Sequence, residues 1–543
     1  MLSYAHGVYD QPLLGETIGH NLDRTVARVP DADALISCHQ GLRYTYAEFG
    51  EAVERLATGM LAGGLRKGDR VGVWSPNRAE WTLVQYATAK SGVILVNINP
   101  AYRVTELEYA LGQSGCRWVL SAKQLKDSNF VEMIAQVRPH LNTLERAIFF
   151  ETPEWDEIAT GEPSRREELR ALGDELDFDE PINIQYTSGT TGFPKGATLT
   201  HHNILNNGYF TGELLGYSER DSVCIPVPLY HCFGMVLGNL AATSHGSCMV
   251  YATETFEPEA CLRACAAERC TSLYGVPTMF IAQLDHPARE MVELQLRTGL
   301  MAGSPCPIEV MKRVYSEMGV REMGIAFGMT ETSPVTTQVR RDETLENRCG
   351  TVGQAGPHVE IKIVDPESGH TLPRGEPGEF CARGYVVMSG YWDDPERTAE
   401  AIDRQRWMHT GDLATLDEHG YVRIVGRIKD MVIRGGENVY PREIEEFLYT
   451  HPAIADVQVI GVPDERYGEE LMAWIMLRPG AALTDEQVRE FCRGQIAHFK
   501  IPRYVKFVDA FPMTVTGKVQ KFKMRQTAID ELGLERAAAV VTA

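Results

Sequence analysis

Tyr186-Thr187-Ser188-Gly189-Thr190-Thr191-Gly192-Phe193-Pro194-Lys195-Gly196 is the stretch that organises the reading of this chain. It follows directly on Ile182-Asn183-Ile184-Gln185-Tyr186, an apolar run of strand character. Gly189, Gly192 and Gly196 let the backbone take positive φ, so successive N–H groups can point into one concavity and hold an anion. The hydroxyls of Thr187, Ser188, Thr190 and Thr191 can donate to phosphate oxygens or ligate a hard cation, and Lys195 adds positive charge. The Walker A spacing is not met, because Pro194 stands where its second glycine belongs. The residues describe a phosphate-handling loop of another kind.

The rest of the composition sets bounds. At 543 residues the chain predicts two to four domains. Hydrophobic content of 44% and charged content of 23% are those of a globular protein, and no run approaches the length of a membrane span. The opening MLSYAHGVYDQPLLGETIGH has no basic n-region and carries Asp10 and Glu16, so neither a signal nor a transit peptide is expected and the predicted location is cytoplasmic. A net charge of −21 argues against nucleic acid or anionic lipid as partners. It also requires local cations wherever a nucleotide binds. Residues 494–525 hold Lys500, Arg503, Lys506, Lys518, Lys521, Lys523 and Arg525 against Asp509, a local balance of 7 − 1 = +6. The twelve cysteines include no CxxC pair; Cys261 and Cys265 lie at helical spacing and are expected as small core residues in a reducing compartment.

From about residue 70 to 330, β-rich runs (Arg70–Trp74, 92–96, 118–120, 223–228, 249–251) alternate with segments read as amphipathic helices, Ala79–Ser91 and 307–317. That alternation predicts α/β layers with largely parallel sheets. After about Gly350 short alternating runs split by Gly, Pro and Asp predict a small β-barrel-like subdomain over about 350–428. The remaining residues, 429–543, read as a compact α+β unit. The boundary at Ile428-Lys429 is short and charged, which suggests a hinge rather than a loose tether.

YTSGTTGFPKG resembles the phosphate loop of the adenylate-forming superfamily of acyl- and aryl-CoA synthetases, peptide-synthetase adenylation domains and luciferases. Further motifs follow in that family's order. In GIAFGMTETSP, Gly324 to Pro334, the turn at Gly328-Met329 presents Thr330 for a phosphate and Glu331 for Mg²⁺, and the resemblance assigns Phe327 to adenine stacking where tyrosine is common. MAGSP is similar to the loop that meets adenine through Gly303, Ser304 and Pro305. TGD places Asp412 as the ribose carboxylate, and Arg427 joins it as a fixed-charge donor with Lys429 at the hinge. IRGGENVYPREIE brings Gly435, Gly436 and Glu437 to the expected pantetheine tunnel of coenzyme A, and TGK supplies Lys518 as the adenylation lysine. PLYHCFG resembles the motif whose histidine, here His231, borders the acyl pocket; Met235, Val276, Ala302 and Val335 are candidates for its lining.

The resemblance spans nearly the whole chain. PLLGETIGHNLDRTV, GDRVGVWSPNRAEW and VNINPAYRVTELEYAL are similar to the medium-chain fatty acyl-CoA ligase branch. It implies a large N-terminal ATP- and acyl-binding domain, 1–428, and a mobile lid, 429–543. It further implies ATP, Mg²⁺ and coenzyme A, a fatty acid substrate of medium to long chain, and release of AMP and pyrophosphate. Catalytic roles fall by the same resemblance to Lys518, Thr190, Glu331 and His231, with Glu331 and Thr190 as metal ligands. The rival readings are an acyl- or aryl-acid adenylating enzyme that hands its acyl group to a carrier protein or other acceptor, an aryl-acid or luciferase-like enzyme of the same fold, and a non-catalytic nucleotide-binding regulator; a homodimer is a candidate assembly.

Overall fold

The computed structural model describes residues 1–187, 194–303, 306–435, 437–513 and 519–538. Among these, two large sheets lie side by side. The first runs in the order Gly390–Tyr391, Lys195–Thr200, Pro181–Thr187, Ile94–Ile98, Arg70–Trp74, Trp118–Ser121, Arg146–Phe149, and is parallel from Pro181–Thr187 onward. The second has a parallel centre of Glu322–Gly328, Thr298–Met301, Ser272–Gly275, Ser222–Cys224, Cys248–Tyr251 and Asp33–Ser37, with antiparallel strands at both edges.

Buried parallel strands need cover on both faces. Helices Ala79–Ser91 and His201–Leu215 provide it between the sheets, each touching strands of both. The prediction of an amphipathic Ala79–Ser91 is corrected here. The bounds are right, but the helix is buried on nearly every side. Its polar residues satisfy one another or the backbone instead of facing water. Gln85 Nε2 donates to Met235 O at 3.1 Å, the Thr82 and Tyr251 hydroxyls lie 2.7 Å apart, and Thr88 and Ser91 donate back to carbonyls one turn earlier. Helix Ile308–Glu317 is amphipathic as expected, burying Val310, Met311 and Val314 and pairing Lys312 with Glu309 outside.

The third sheet is antiparallel, in the order Tyr4–His6, Val359–Val364, Gly378–Gly384, Met408–Leu416, Val422–Arg427. Its edge strand comes from the N-terminus, with Tyr4 opposite Lys362, an element the sequence pattern did not signal.

After the short turn Ile428–Asp430 a separate sheet forms from Val432–Arg434, Glu437–Val439, Ile454–Asp464, Gly468–Leu477 and Tyr504–Phe507. The alternation along Gly468–Leu477 divides two small cores. Leu471, Ala473 and Ile475 face helices Pro441–Tyr449 and Asp485–Cys492; Met472 and Trp474 face helix Lys521–Leu532 with Met524 and Ala528. Burying both faces of a small sheet gives this unit a core of its own.

Candidate active site

Strands of both large sheets present their carboxyl ends to one region, where open α/β sheets bind ligands. From the first sheet comes Thr187, the last residue of its strand. It lies opposite Lys195 in the antiparallel ladder, so the glycine-rich loop is a hairpin connection whose two ends are cross-strand neighbours. Ser188, Gly189, Thr190, Thr191 and Gly192 lie outside the described residues.

From the second sheet, Glu322–Gly328 ends in the turn that carries Met329, Thr330 and Glu331. A Cβ at Gly328 would stand 1.8 Å from Pro334 O, so the returning chain admits only glycine there. Glu331 is buried. Its Oε1 accepts from Thr187 Oγ1 at 3.2 Å and from the Tyr391 phenol at 2.8 Å, while the Lys195 ammonium sits 4.9 Å from the centre of the Tyr391 ring. Burial, then the charge on Glu331, raises the Tyr391 pKa, which keeps the phenol a donor. Thr187, Lys195 and Glu331 therefore meet, joined by a residue that sequence reasoning passed over. Tyr391 arrives by pairing with Ala197 at the sheet edge, and no local pattern marks it.

Thr330 Oγ1 approaches Cys232 Sγ at 3.7 Å, which brings the His231 loop alongside. His231 Nδ1 accepts from the Phe233 backbone N–H at 3.1 Å, assigning its proton to Nε2. Val276 and Ala302 follow neighbouring parallel strands, Ser272–Gly275 and Thr298–Met301, and both are buried. Gly303 is left-handed at φ 89°, and a Cβ there would touch Val276 at 3.2 Å. Ser304 and Pro305 are outside the described residues. Val335 is buried on the strand returning from the Glu331 turn. Met235 is buried too, its sulfur accepting from Asn97 and Gln185 amides at 3.1 and 3.2 Å.

Phe327 meets the third sheet, edge-on to Phe380 at 5.3 Å. Beside Phe380 runs the strand with Asp412, whose buried carboxylate accepts from Arg427 Nε at 3.0 Å across the ladder. The two residues assigned to the ribose thus hold each other. Lys429 is exposed on the connecting turn.

In the C-terminal unit, Gly435 is left-handed at φ 60° and donates to Tyr467 O at 2.8 Å; Glu437 pairs opposite Arg434. Gly436 and Lys518 lie outside the described residues. Helix Pro441–Tyr449 docks near the adenine-loop region, where the Ile308 backbone N–H reaches Glu446. Burial raises the pKa of Glu446.

The basic stretch 494–525 reads differently in three dimensions. Lys500 pairs with Glu443, Arg503 with Asp464, Lys506 with Glu531, Lys521 with Glu445 and Arg525 with Glu469. The +6 counted along the sequence is largely cancelled by carboxylates outside the window, so it is no general nucleotide-attracting face.

Residues 22–392 match the family described as AMP-binding enzyme, and residues 443–518 match AMP-binding enzyme C-terminal domain. The zebrafish (Danio rerio) mitochondrial medium-chain acyl-CoA ligase ACSF2 is 46% identical over 98% of this chain and 91% of its own. ATP-bound MatB from Rhodopseudomonas palustris superposes with a TM-score of 0.81 at 30% identity, over 94% of this chain and 99% of that one. The anthranilate CoA ligase AuaEII with anthranoyl-AMP gives 0.85 at 26%, over 97% and 99%. Among the described residues no helix is long and apolar enough to cross a membrane. With the family's sequence matched over most of its length and its fold reproduced around the Glu331 turn, the chain belongs to the AMP-binding enzymes.

Proposed function

We propose that this protein is an ATP-dependent acyl-CoA ligase that activates fatty acids of medium to long chain as acyl-adenylates and then transfers the acyl group to coenzyme A. The coarse part, ligation of an acid to a thiol by an AMP-forming enzyme, follows from the family and from the ACSF2 relative. The observation that supports the adenylate step is the buried Glu331 carboxylate, its Oε1 held by Thr187 and Tyr391 beside Lys195 at the mouth of the phosphate loop; the chain length rests on the ACSF2 relative.

Attack of a carboxylate on a nucleotide phosphate sets anion against anion, so fixed charges and dipoles must be in place beforehand. Lys195 is positioned to take charge from the departing phosphates. A buried carboxylate beside the Thr187 hydroxyl is the donor set a hard divalent cation prefers, so Glu331 fits Mg²⁺, with Thr190 as its partner ligand by family resemblance; the ion when bound would neutralise phosphate charge. Asp412 and Arg427 exchange their mutual bond for ribose hydroxyls, and Phe327 stacks on adenine. His231, its Nε2 protonated, borders the carboxylate end of the acyl pocket that Val276, Ala302, Val335 and Met235 enclose. Lys518 bridges carboxylate and α-phosphate in the first half-reaction, and Gly435, Gly436 and Glu437 line the thiol's approach in the second, with Lys429 as the pivot between them. A reducing compartment, in the first instance the cytoplasm, suits twelve cysteines free of disulfides.

The test is a coupled assay of pyrophosphate release and thioester yield over short, medium, long and aromatic acids. Pyrophosphate and acyl-CoA should appear in equal amounts, with the highest kcat/KM between medium and long chains. Pyrophosphate without acyl-CoA would favour a carrier protein as acceptor; neither product with any acid would favour a nucleotide-binding regulator.

A further inference from the structure

Five of the twelve cysteines gather on one side of the second sheet, away from the region just described. Cys224 closes the Ser222–Cys224 strand at the sheet centre. Cys261 and Cys265 sit one helical turn apart on Pro258–Ala267, and Cys270 ends the loop after that helix, its N–H donating to Cys265 O at 2.8 Å. Cys38 lies nearby. The thiols of Cys224, Cys261 and Cys265 are all within 4.8 Å of one another, and each is at most 1% exposed. Cys270 is fully buried, and its thiol hydrogen-bonds with those of Cys224 and Cys265 but stands farther from Cys261, outside the set of three, so it has to close on an ion to complete a fourfold site.

Buried thiols can pack as small apolar residues, but three sulfurs all within 4.8 Å of one another, with an amide N–H aimed at one of them, are more than packing requires. The Cys224–Cys261 sulfur separation is 3.7 Å. Four sulfurs at ~2.3 Å around a tetrahedral Zn²⁺ would stand about 3.8 Å apart along each edge. A further group points inward. Gln283, 1% exposed, donates Nε2–H to Cys261 Sγ at 3.2 Å, and its Oε1 has no hydrogen-bond partner. An amide N–H aimed at sulfur is the outer-shell bond that steadies a metal-bound thiolate.

We propose that Cys224, Cys261, Cys265 and Cys270 form a buried site for a thiophilic divalent cation, Zn²⁺, with Gln283 as the outer hydrogen-bond donor. Binding converts four thiols and Zn²⁺ into a tetrathiolate complex of charge −2 and releases four protons, with no oxidant or reductant required. The cation would tie the end of a central strand to the helix packed over it and to the lead-in of the neighbouring strand Ser272–Gly275. The role is structural.

The full chain is refolded with one equivalent of Zn²⁺ or Co²⁺ and passed through a sizing column in EDTA. One metal per chain should remain, and the cobalt form should show thiolate-to-metal charge-transfer absorption in the near ultraviolet. Gln283→Leu should lower metal affinity ~10–100-fold. The Cys261→Val, Cys265→Val double variant keeps apolar volume; it should lose the metal and melt at a lower temperature, whereas Cys349→Ser, elsewhere in the fold, should keep the metal. Wild-type protein that emerges metal-free and without the cobalt band overturns the site, as does metal retained by the double valine variant. If that variant fails to fold, the wild-type cobalt spectrum decides alone.

Discussion

The Tyr391 phenol donates to Glu331 Oε1 at 2.8 Å from a strand sixty residues further along the chain. It shares that oxygen with Thr187 and offers its ring face to Lys195. Tyr391→Phe keeps the ring and removes the donor. A hydrogen bond to a charged group contributes ~1.5–3 kcal/mol, so adenylation should slow ~10–100-fold if the carboxylate must be held in place. Pyrophosphate release titrated with Mg²⁺ checks it: the midpoint should move to higher Mg²⁺, and an unchanged curve removes Tyr391 from the positioning of Glu331.

Arg427 pairs with Asp412 but its own side chain is 57% exposed, so the pair adds little stability. Arg427→Gln should therefore leave the melting temperature almost unchanged. Asp412→Asn, which would weaken the two hydrogen bonds proposed to ribose, should raise the KM for ATP ~10-fold or more. Equal effects on ATP and on the fatty acid would point to a general loss of structure instead.

Lys518→Ala and Gly436→Leu should divide the two half-reactions. The lysine variant should slow acyl-adenylate formation ~10²–10³-fold yet still convert synthetic acyl-adenylate to thioester. The leucine variant should release pyrophosphate in a single turnover and accumulate acyl-adenylate, with Gly436→Ala as the control for backbone strain. Single-turnover quenching with both products counted is the readout; parallel loss in both variants would end the proposed division.

His409 offers a pH test of the third sheet. The Cys381 thiol, at 3.5 Å, and the Glu379 carboxylate, at 2.8 Å, raise its pKa to about 10. A histidine raised in the folded state contributes stability in full below its unfolded value of about 6.5, and loses it as pH climbs through the folded value. The melting-temperature gap between wild type and His409→Gln should be widest near pH 6 and shrink toward pH 10. A gap that does not vary with pH would contradict the charged pair.

Local pattern reached far into this fold where local forces decide it. The Arg70–Trp74 strand and the bounds of Ala79–Ser91 followed from propensity and punctuation, and the adenylate-forming architecture from motif order. What escaped was set by partners distant in sequence. The burial of Ala79–Ser91 depends on a second sheet closing over it, and Tyr391 reaches Glu331 only through an edge pairing with Ala197. The cationic stretch misled because charge was summed along the chain, whereas Glu443, Glu445, Asp464, Glu469 and Glu531 neutralise it across space. Thr187, Lys195 and Glu331 were named as candidates from their motifs; that they share one cluster could be learned only from the fold.

The pairing of Tyr4 with Lys362 has a consequence for biosynthesis. Strand Tyr4–His6 leaves the ribosome with no partner in its sheet until Val359–Val364 has followed it. At about 5–20 residues per second that wait is roughly 20–70 s, during which both large sheets can begin to form. A strand made about 355 residues before its partner must wait to be placed, so the order of synthesis and the order of assembly run opposite ways at this edge.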